Sequence, residues 1–324
     1  MIDVHHHMFP RFLVEALAAA GVEGAGGEQL PGAWTPEQSL DVMDRYGIGA
    51  AVLSVPVPLD ALEPAKRASL ARRLNQLGHS LADGVTGRFG FFATLPLPDV
   101  DAAVEEARHA LDELGADGVA LLTNHAGVYQ GDERLEPLYE ELDARRAVTF
   151  VHPTSAAGSP VPSLQPSLLE FPFDTTRAIG SLLVSGTLER YPRIRWVFTH
   201  SGGSVSSVAS RLIDRRPLVE AFSREQPSLE RLEALLGTAQ REALQRLASL
   251  HYDVALSSDE PSLSALTHLV PTCRLLLGTD FPIGQEIGLR VTLDGIERFP
   301  GFEVGELRAN AERLFPRLAP VSAR

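Results

Sequence analysis

Val148-Thr149-Phe150-Val151-His152 is a run of β-branched and aromatic residues that ends on a histidine. Such side chains suit a pleated sheet. Nearly continuous apolar character marks a strand covered on both faces, as in a parallel sheet with helical crossovers. Runs of the same kind recur on either side of it. Ile2-Asp3-Val4-His5, 49–55, 89–95 and Gly118–Leu122 precede it, and 194–200, 250–254 and 274–280 follow. Helical patterns separate most of them, at 36–46, 65–82, 100–114, 135–145, 176–191 and 229–247. Pro36 and Asp174 read as lying at or near helix starts. Eight strands alternating with helices predict an α/β fold, a (β/α)8 TIM barrel. An open doubly wound sheet is the alternative.

Two segments break the rhythm. Residues 9–35 are Gly-rich and contain Trp34, and residues 153–175 are rich in Ser and Pro. They read as loop insertions after strands 1 and 5. Both follow strand C-termini, where barrel active sites form, so they are expected to act as lids or pocket walls. Plain surface elaboration is the competing reading. No internal repeat, linker or low-complexity tail divides the chain, and residues 1–324 are expected to form a single domain.

The 324 residues, 44% of them hydrophobic, can bury a large core. The formal charge is −13, and Lys66 is the only lysine. An acidic surface repels a phosphate backbone, which argues against a nucleic-acid partner. It does not exclude an anionic substrate, because a metal or an arginine can dominate the field inside a pocket. Cys273 is the only cysteine, so no intrachain disulfide can form. The first residues lack the basic and apolar segments of a signal peptide. No apolar stretch reaches the roughly 18 residues that span a bilayer. A cytoplasmic protein with no membrane partner is expected.

Polar residues gather at the strand ends. In a strand with period two, His5 and His7 point to one side and His6 to the other. His152 ends the fifth predicted strand, His200 the sixth and Asp280 the eighth. A barrel would bring all of these to one face. Imidazole nitrogen and carboxylate oxygen are good ligands for borderline divalent metals. The bland alternative is a set of unrelated polar loop residues. Asn124 and His125 end the fourth strand and are substrate-contact candidates. Trp34 is a candidate pocket wall, and Phe281 a candidate contact for an aromatic ring; both could equally be packing residues. Arg177 could pair with a substrate carboxylate or with Asp174. Asp253 could orient a pocket group, and Asn310 could anchor the last helix. Arg45, His79, His109 and His268 read as structural or surface residues. No Gly-rich stretch has the spacing of a dinucleotide or P-loop site.

Asp3-Val4-His5-His6-His7, His152-Pro153, His200-Ser201-Gly202-Gly203 and Gly278-Thr279-Asp280-Phe281-Pro282 together resemble the amidohydrolase superfamily. The branch resembled contains aminocarboxymuconate-semialdehyde decarboxylase and the 6-methylsalicylate-type aromatic-acid decarboxylases. Met43-Asp44-Arg45-Tyr46-Gly47-Ile48, Phe171-Pro172-Phe173-Asp174-Thr175-Thr176-Arg177-Ala178 and Ser185-Gly186-Thr187-Leu188-Glu189-Arg190 are similar to the same branch. So is the Asn310-Ala311 pair. The resemblance implies that His5, His7, His152 and Asp280 bind the metal, with His200 beside it as acid/base. Binuclear branches use a carboxylated lysine on strand four. Leu122-Thr123-Asn124-His125 offers none, which implies one metal. Some decarboxylases of the branch carry glutamate where this chain keeps His5. Three histidines and one carboxylate suit Zn²⁺, with Mn²⁺ as the alternative.

The resemblance implies a metal-dependent, non-oxidative decarboxylase (a carboxy-lyase) for a small aromatic or enol-type carboxylic acid such as an ortho-hydroxybenzoate. Asp280 or His200 would deliver a proton to the carbon that bears the carboxylate. A metal-dependent hydrolase opening a lactone or amide is the competing reading, and a non-catalytic metal-binding protein the third. The expected partner is the small-molecule acid. The resemblance also implies a homodimer, with a substrate-binding arginine reaching across the interface.

Overall fold

The computed structural model describes residues 1–319 apart from 23, 26, 27, 33, 86, 155–160, 162 and 225. Eight parallel strands form one sheet in sequence order: β1 (Ile2–His7), β2 (Ala50–Ser54), β3 (Phe89–Thr94), β4 (Gly118–Leu122), β5 (Val148–His152), β6 (Arg195–Phe198), β7 (His251–Asp253) and β8 (Leu275–Leu276). The sheet curls until its last segment meets its first. Val4 N donates to Leu277 O at 2.9 Å, Asp280 N to His5 O at 2.8 Å, and His7 N to Phe281 O at 2.7 Å. These bonds satisfy what would otherwise be exposed edges. The result is a near-closed α/β barrel with flanking helices. Among the described residues, no helix is long and apolar enough to cross a membrane.

Inside the barrel, Val4, Val52, Phe92, Phe150, Val197 and Leu276 pack together. Ala311, Leu314, Phe315 and Leu318 join them, so the helix Val304–Leu314 and the turn after it plug the end where the strands begin. The opposite end is therefore the mouth. Strict alternation would put Val4 on one side of β1 and His5 and His7 on the other. The register with β2 shifts between Asp3 and His6. That irregularity lets Val4 pack in the interior while the His5 ring meets Phe150 at 5.2 Å between ring centroids.

Several boundaries differ from the sequence reading. β4 and β5 have the expected bounds. β6 stops at Phe198, because His200 and Ser201 take left-handed backbone conformations (φ 52° and 58°). β8 keeps only Leu275–Leu276 of the expected 274–280. Its continuation bonds to β1 residue by residue instead of forming a regular ladder. The helix expected at 176–191 starts at Glu170 and breaks at Gly186 (φ 77°). Asp174 thus lies in the second turn of that helix, near its start. Residues 9–35 include a helix, Arg11–Ala19, which the glycine-rich composition of the segment hides. Pro36 does open its helix, held by a Thr35–Gln38 capping box.

Candidate metal centre

The mouth of the barrel collects four imidazoles and a carboxylate. His5 and His7 come from the end of β1, His152 from the end of β5, and His200 and Asp280 from the turns after β6 and β8. Ligand atoms of His5, His152, His200 and Asp280 all lie within 4.8 Å of one another. His7 belongs with them. Its Nε2 is 3.0 Å from His5 Nε2 and 2.9 Å from Asp280 Oδ1. The other contacts are His5 Nε2–Asp280 Oδ1 at 3.2 Å and His152 Nε2–Asp280 Oδ1 at 4.0 Å. Asp280, like His200, has a left-handed backbone (φ 58°). Non-glycine residues held there are strained, and such strain persists at sites where the surroundings fix it.

The outer ring nitrogens decide what the inner ones can do. His152 Nδ1 meets Pro153 O at 2.9 Å and His200 Nδ1 meets Ala255 O at 3.0 Å. A carbonyl only accepts, so both Nδ1 atoms carry the proton. His5 Nδ1 faces the Asp253 carboxylate at 3.1 Å. His7 Nδ1 faces Ser54 Oγ at 2.8 Å, and that hydroxyl donates its own proton to His6 O. All four rings are thereby set to present an Nε2 lone pair to the same small volume, beside an anionic oxygen. His152 Nε2 is buried with no hydrogen-bond partner among the described residues. Converging acceptors of this kind call for a shared positive charge, which a proton on His5 Nε2 or a cation in its place can supply. The outer-sphere partners are of the kind that fix metal-binding histidines. The chain has a single divalent-metal site of histidines and aspartate here.

Electrostatics agree. Burial holds His7 down to about 4. Burial, with His7 and His5 adding to it, drives His152 well below the ordinary histidine range. Burial also opposes charge on His5, but Asp253 and Asp280 outweigh it and raise that ring to about 10. Burial would push the Asp280 carboxyl up, yet His5 and His7 hold it well below the usual carboxylate range.

The centre opens into a cavity of about 390 Å³. His152, His200 and Asp280 form its floor. Phe9, Val57, Phe171, Leu256 and Ile283 supply most of the apolar wall, with Leu30 and Pro31 from one long loop and Pro153, Thr154 and Leu168 from another. No described lining residue is an arginine or lysine.

The four substrate-contact candidates sit around this cavity and not on it. Trp34 is buried and donates from Nε1 to Ser39 Oγ at 2.8 Å. Phe281 packs on the His6 ring at 5.2 Å between centroids. Asn124 Nδ2 donates to Asp174 Oδ2 at 2.9 Å. Arg177 is half exposed and pairs with Asp174 at 3.3 Å. His125 is buried and accepts from Leu122 N. Asn310 anchors the last helix through Thr272 O and Leu275 O, both at 2.8 Å. Asp3 escaped sequence reasoning. Buried at the base of the centre, it accepts from His6 Nδ1, Thr279 Oγ1 and the His5 and Thr279 amides. An acid two residues before a strand-end histidine was the signal available. The wall residues gave none, because apolar loop residues look alike in a sequence.

Comparison with known proteins places this arrangement. An amidohydrolase family model matches residues 2–317. The chain belongs to the amidohydrolase family. It is 34% identical to 6-methylsalicylic acid decarboxylase of Aspergillus aculeatus, across 99% of this chain and 98% of that protein. A solved amidohydrolase II structure superposes with a TM-score of 0.85 at 29% identity, covering 97% of this chain and 99% of its own. The 5-carboxyvanillate decarboxylase of Novosphingobium aromaticivorans, solved with manganese and 4-hydroxy-3-methoxy-5-nitrobenzoic acid, shares the fold. Its TM-score is 0.77 at 16% identity, over 97% of this chain and 95% of that one. Within the family, the chain stands with the metal-dependent, non-oxidative decarboxylases.

Proposed function

We propose that the chain decarboxylates a small aromatic acid with a hydroxyl ortho to the carboxylate, or an enol acid of the same shape. One observation carries the reading. The centre of inward-facing donors floors a small cavity whose walls are apolar and whose described lining offers no cationic side chain. Within that described lining, neighbouring phenolate and carboxylate oxygens would then find positive charge only at the metal. The similarity to 6-methylsalicylic acid decarboxylase supports the same substrate class. Phe9, Val57, Phe171, Leu256 and Ile283 suit an aromatic ring with an alkyl substituent.

We assign His5, His7, His152 and Asp280 as ligands and His200 as the acid/base. Bound there, a divalent cation supplies charge stabilisation for the oxygen beside the reacting carbon. His200 is oriented by Ala255 O and presents Nε2 to the cavity, where it can take a proton and return it. Asp280 lines the same cavity and is the second candidate for delivering that proton. The proton goes to the ring carbon, the bond to the carboxylate breaks, and carbon dioxide leaves. The apolar walls exclude water from a carboxylate that loses its charge in this step. No oxidant is consumed.

The nitrogen-rich donor set favours Zn²⁺. The manganese in the 5-carboxyvanillate enzyme makes Mn²⁺ the competitor. We read residues 9–35 and 153–175 as insertions that wall the cavity, on one barrel domain spanning the chain. A homodimer and a cytoplasmic location complete the proposal. The test is to offer ortho-hydroxybenzoates to the metal-loaded enzyme and to measure carbon dioxide and the matching phenol together. Turnover of lactones or amides with no gas released from any acid would overturn the reading in favour of hydrolysis.

A further inference from the structure

Arginines gather at the end of the barrel opposite the metal centre. Arg195 opens β6, and Arg274 immediately precedes β8. Arg146 lies two residues before β5, and Arg313 is in the last turn of the helix that plugs this end. β5 to β8 are consecutive in the sheet. Neighbouring strands lie about 4.8 Å apart. Arg195 and Arg274 flank His251 of β7, and Arg313 is close enough for its charge to act on the same ring.

These arginines are held differently from the ion-paired ones. Many guanidiniums of the chain meet a carboxylate, as Arg72 meets Glu106, Arg145 meets Asp112 and Arg193 meets Asp143, although Arg67 meets only a carbonyl, Leu62 O. Here the acceptors are neutral. Arg195 Nε donates to Arg146 O at 2.9 Å. Arg274 donates to His251 Nε2 at 3.0 Å. Arg313 donates to the Asn310 side-chain oxygen. His251 Nδ1 faces Trp196 O at 3.3 Å, so it carries the ring proton and leaves Nε2 free to accept. Burial and the charges of Arg274, Arg195 and Arg313 keep that ring neutral, down to about 4. At the same end of the barrel, Asp117 pairs with Arg317 and Asp143 with Arg193, and Glu306 accepts from Thr272 Oγ1. Among the described residues, none of Arg195, Arg274 and Arg313 is in an ion pair, on a chain whose net charge is −13.

We propose that this face of the barrel binds a tetrahedral oxyanion of the phosphate class, gripped by Arg195, Arg274 and Arg313. Arginine forks suit an oxyanion with several charged oxygens, which can be approached from more than one side. The site lies at the far end of the barrel from the decarboxylation chemistry, so its fate is independent of that reading.

The experiment is calorimetric titration of the metal-loaded enzyme with inorganic phosphate, against sodium chloride at matched ionic strength. The wild type should bind saturably. Arg195→Ala and Arg274→Ala should each weaken binding at least tenfold, and Arg274→Lys should recover part of the loss. Decarboxylation by the variants should stay at the wild-type rate, which verifies their fold. In the wild type, phosphate should also shift the His251 ring resonances. Absence of saturable binding would overturn the proposal. So would binding that all three variants retain, because that would place the phosphate at the metal centre or elsewhere.

Discussion

Replacing Asp253 by asparagine tests the metal centre without touching a ligand. Asp253 is fully buried and uses its two oxygens differently. Oδ1 accepts the backbone amides of His200 at 3.2 Å and Ala255 at 3.0 Å, while Oδ2 faces His5 Nδ1 at 3.1 Å. An asparagine of the same shape must keep its carbonyl on the two amides, because they only donate. Its NH₂ group is then forced toward His5 Nδ1. That nitrogen must become an acceptor, so the ring proton moves to Nε2, between His7 and Asp280. Even the neutral ring then keeps a proton where the cation binds. Loss of such an outer partner weakens metal binding about 10–100-fold, or about 1.4–2.8 kcal/mol. The assay is chelator competition on wild type and Asp253→Asn, with circular dichroism of both metal-free proteins as the fold check. Equal metal affinities with intact folds would refute the tautomer argument and leave Asp253 a packing residue.

His200→Gln should keep the metal and lower kcat by about 10²–10⁴-fold, the usual worth of a positioned acid/base; loss of metal with loss of rate would make His200 a ligand instead. Removing the metal by chelation should abolish turnover. Rebinding should release a proton, because burial opposes charge on His5 but Asp253 and Asp280 raise it to about 10 in the metal-free protein. A proton thus competes with the cation below that pH, and metal affinity measured from pH 6 to 9 should rise with pH; a flat profile would contradict the competition. Gly278→Ala would set a methyl 2.7 Å from His5 Cβ and 2.8 Å from Asp253 Oδ1. Overpacking of this kind costs about 1–3 kcal/mol, so thermal unfolding should come earlier and metal affinity should fall with it.

Much of the barrel was legible because each strand declares itself locally. Val148–His152 and Gly118–Leu122 need only their own apolar, β-rich composition and the helical patterns on either side. The donors were legible for the same reason, since His5, His7 and His152 end recognisable strands. The four substrate-contact candidates fared differently. Trp34, Asn124, Arg177 and Phe281 all lie near strand ends or insertions, yet each contacts a protein partner and none is among the described residues that line the cavity.

The sequence by itself determined the alternation of strands and helices, the strand-end histidines and the family. Those features are set by neighbours along the chain and by short motifs. Only the tertiary structure decided which ring nitrogens face inward, because that depends on Pro153 O, Ala255 O, Asp253 and Ser54, which distant segments bring to the rings. It also decided that Val4 and His5 share the interior through a shift in register, and that arginines from four separate segments meet at the far end. Those outcomes follow from closing the sheet, and no stretch of residues encodes closure alone.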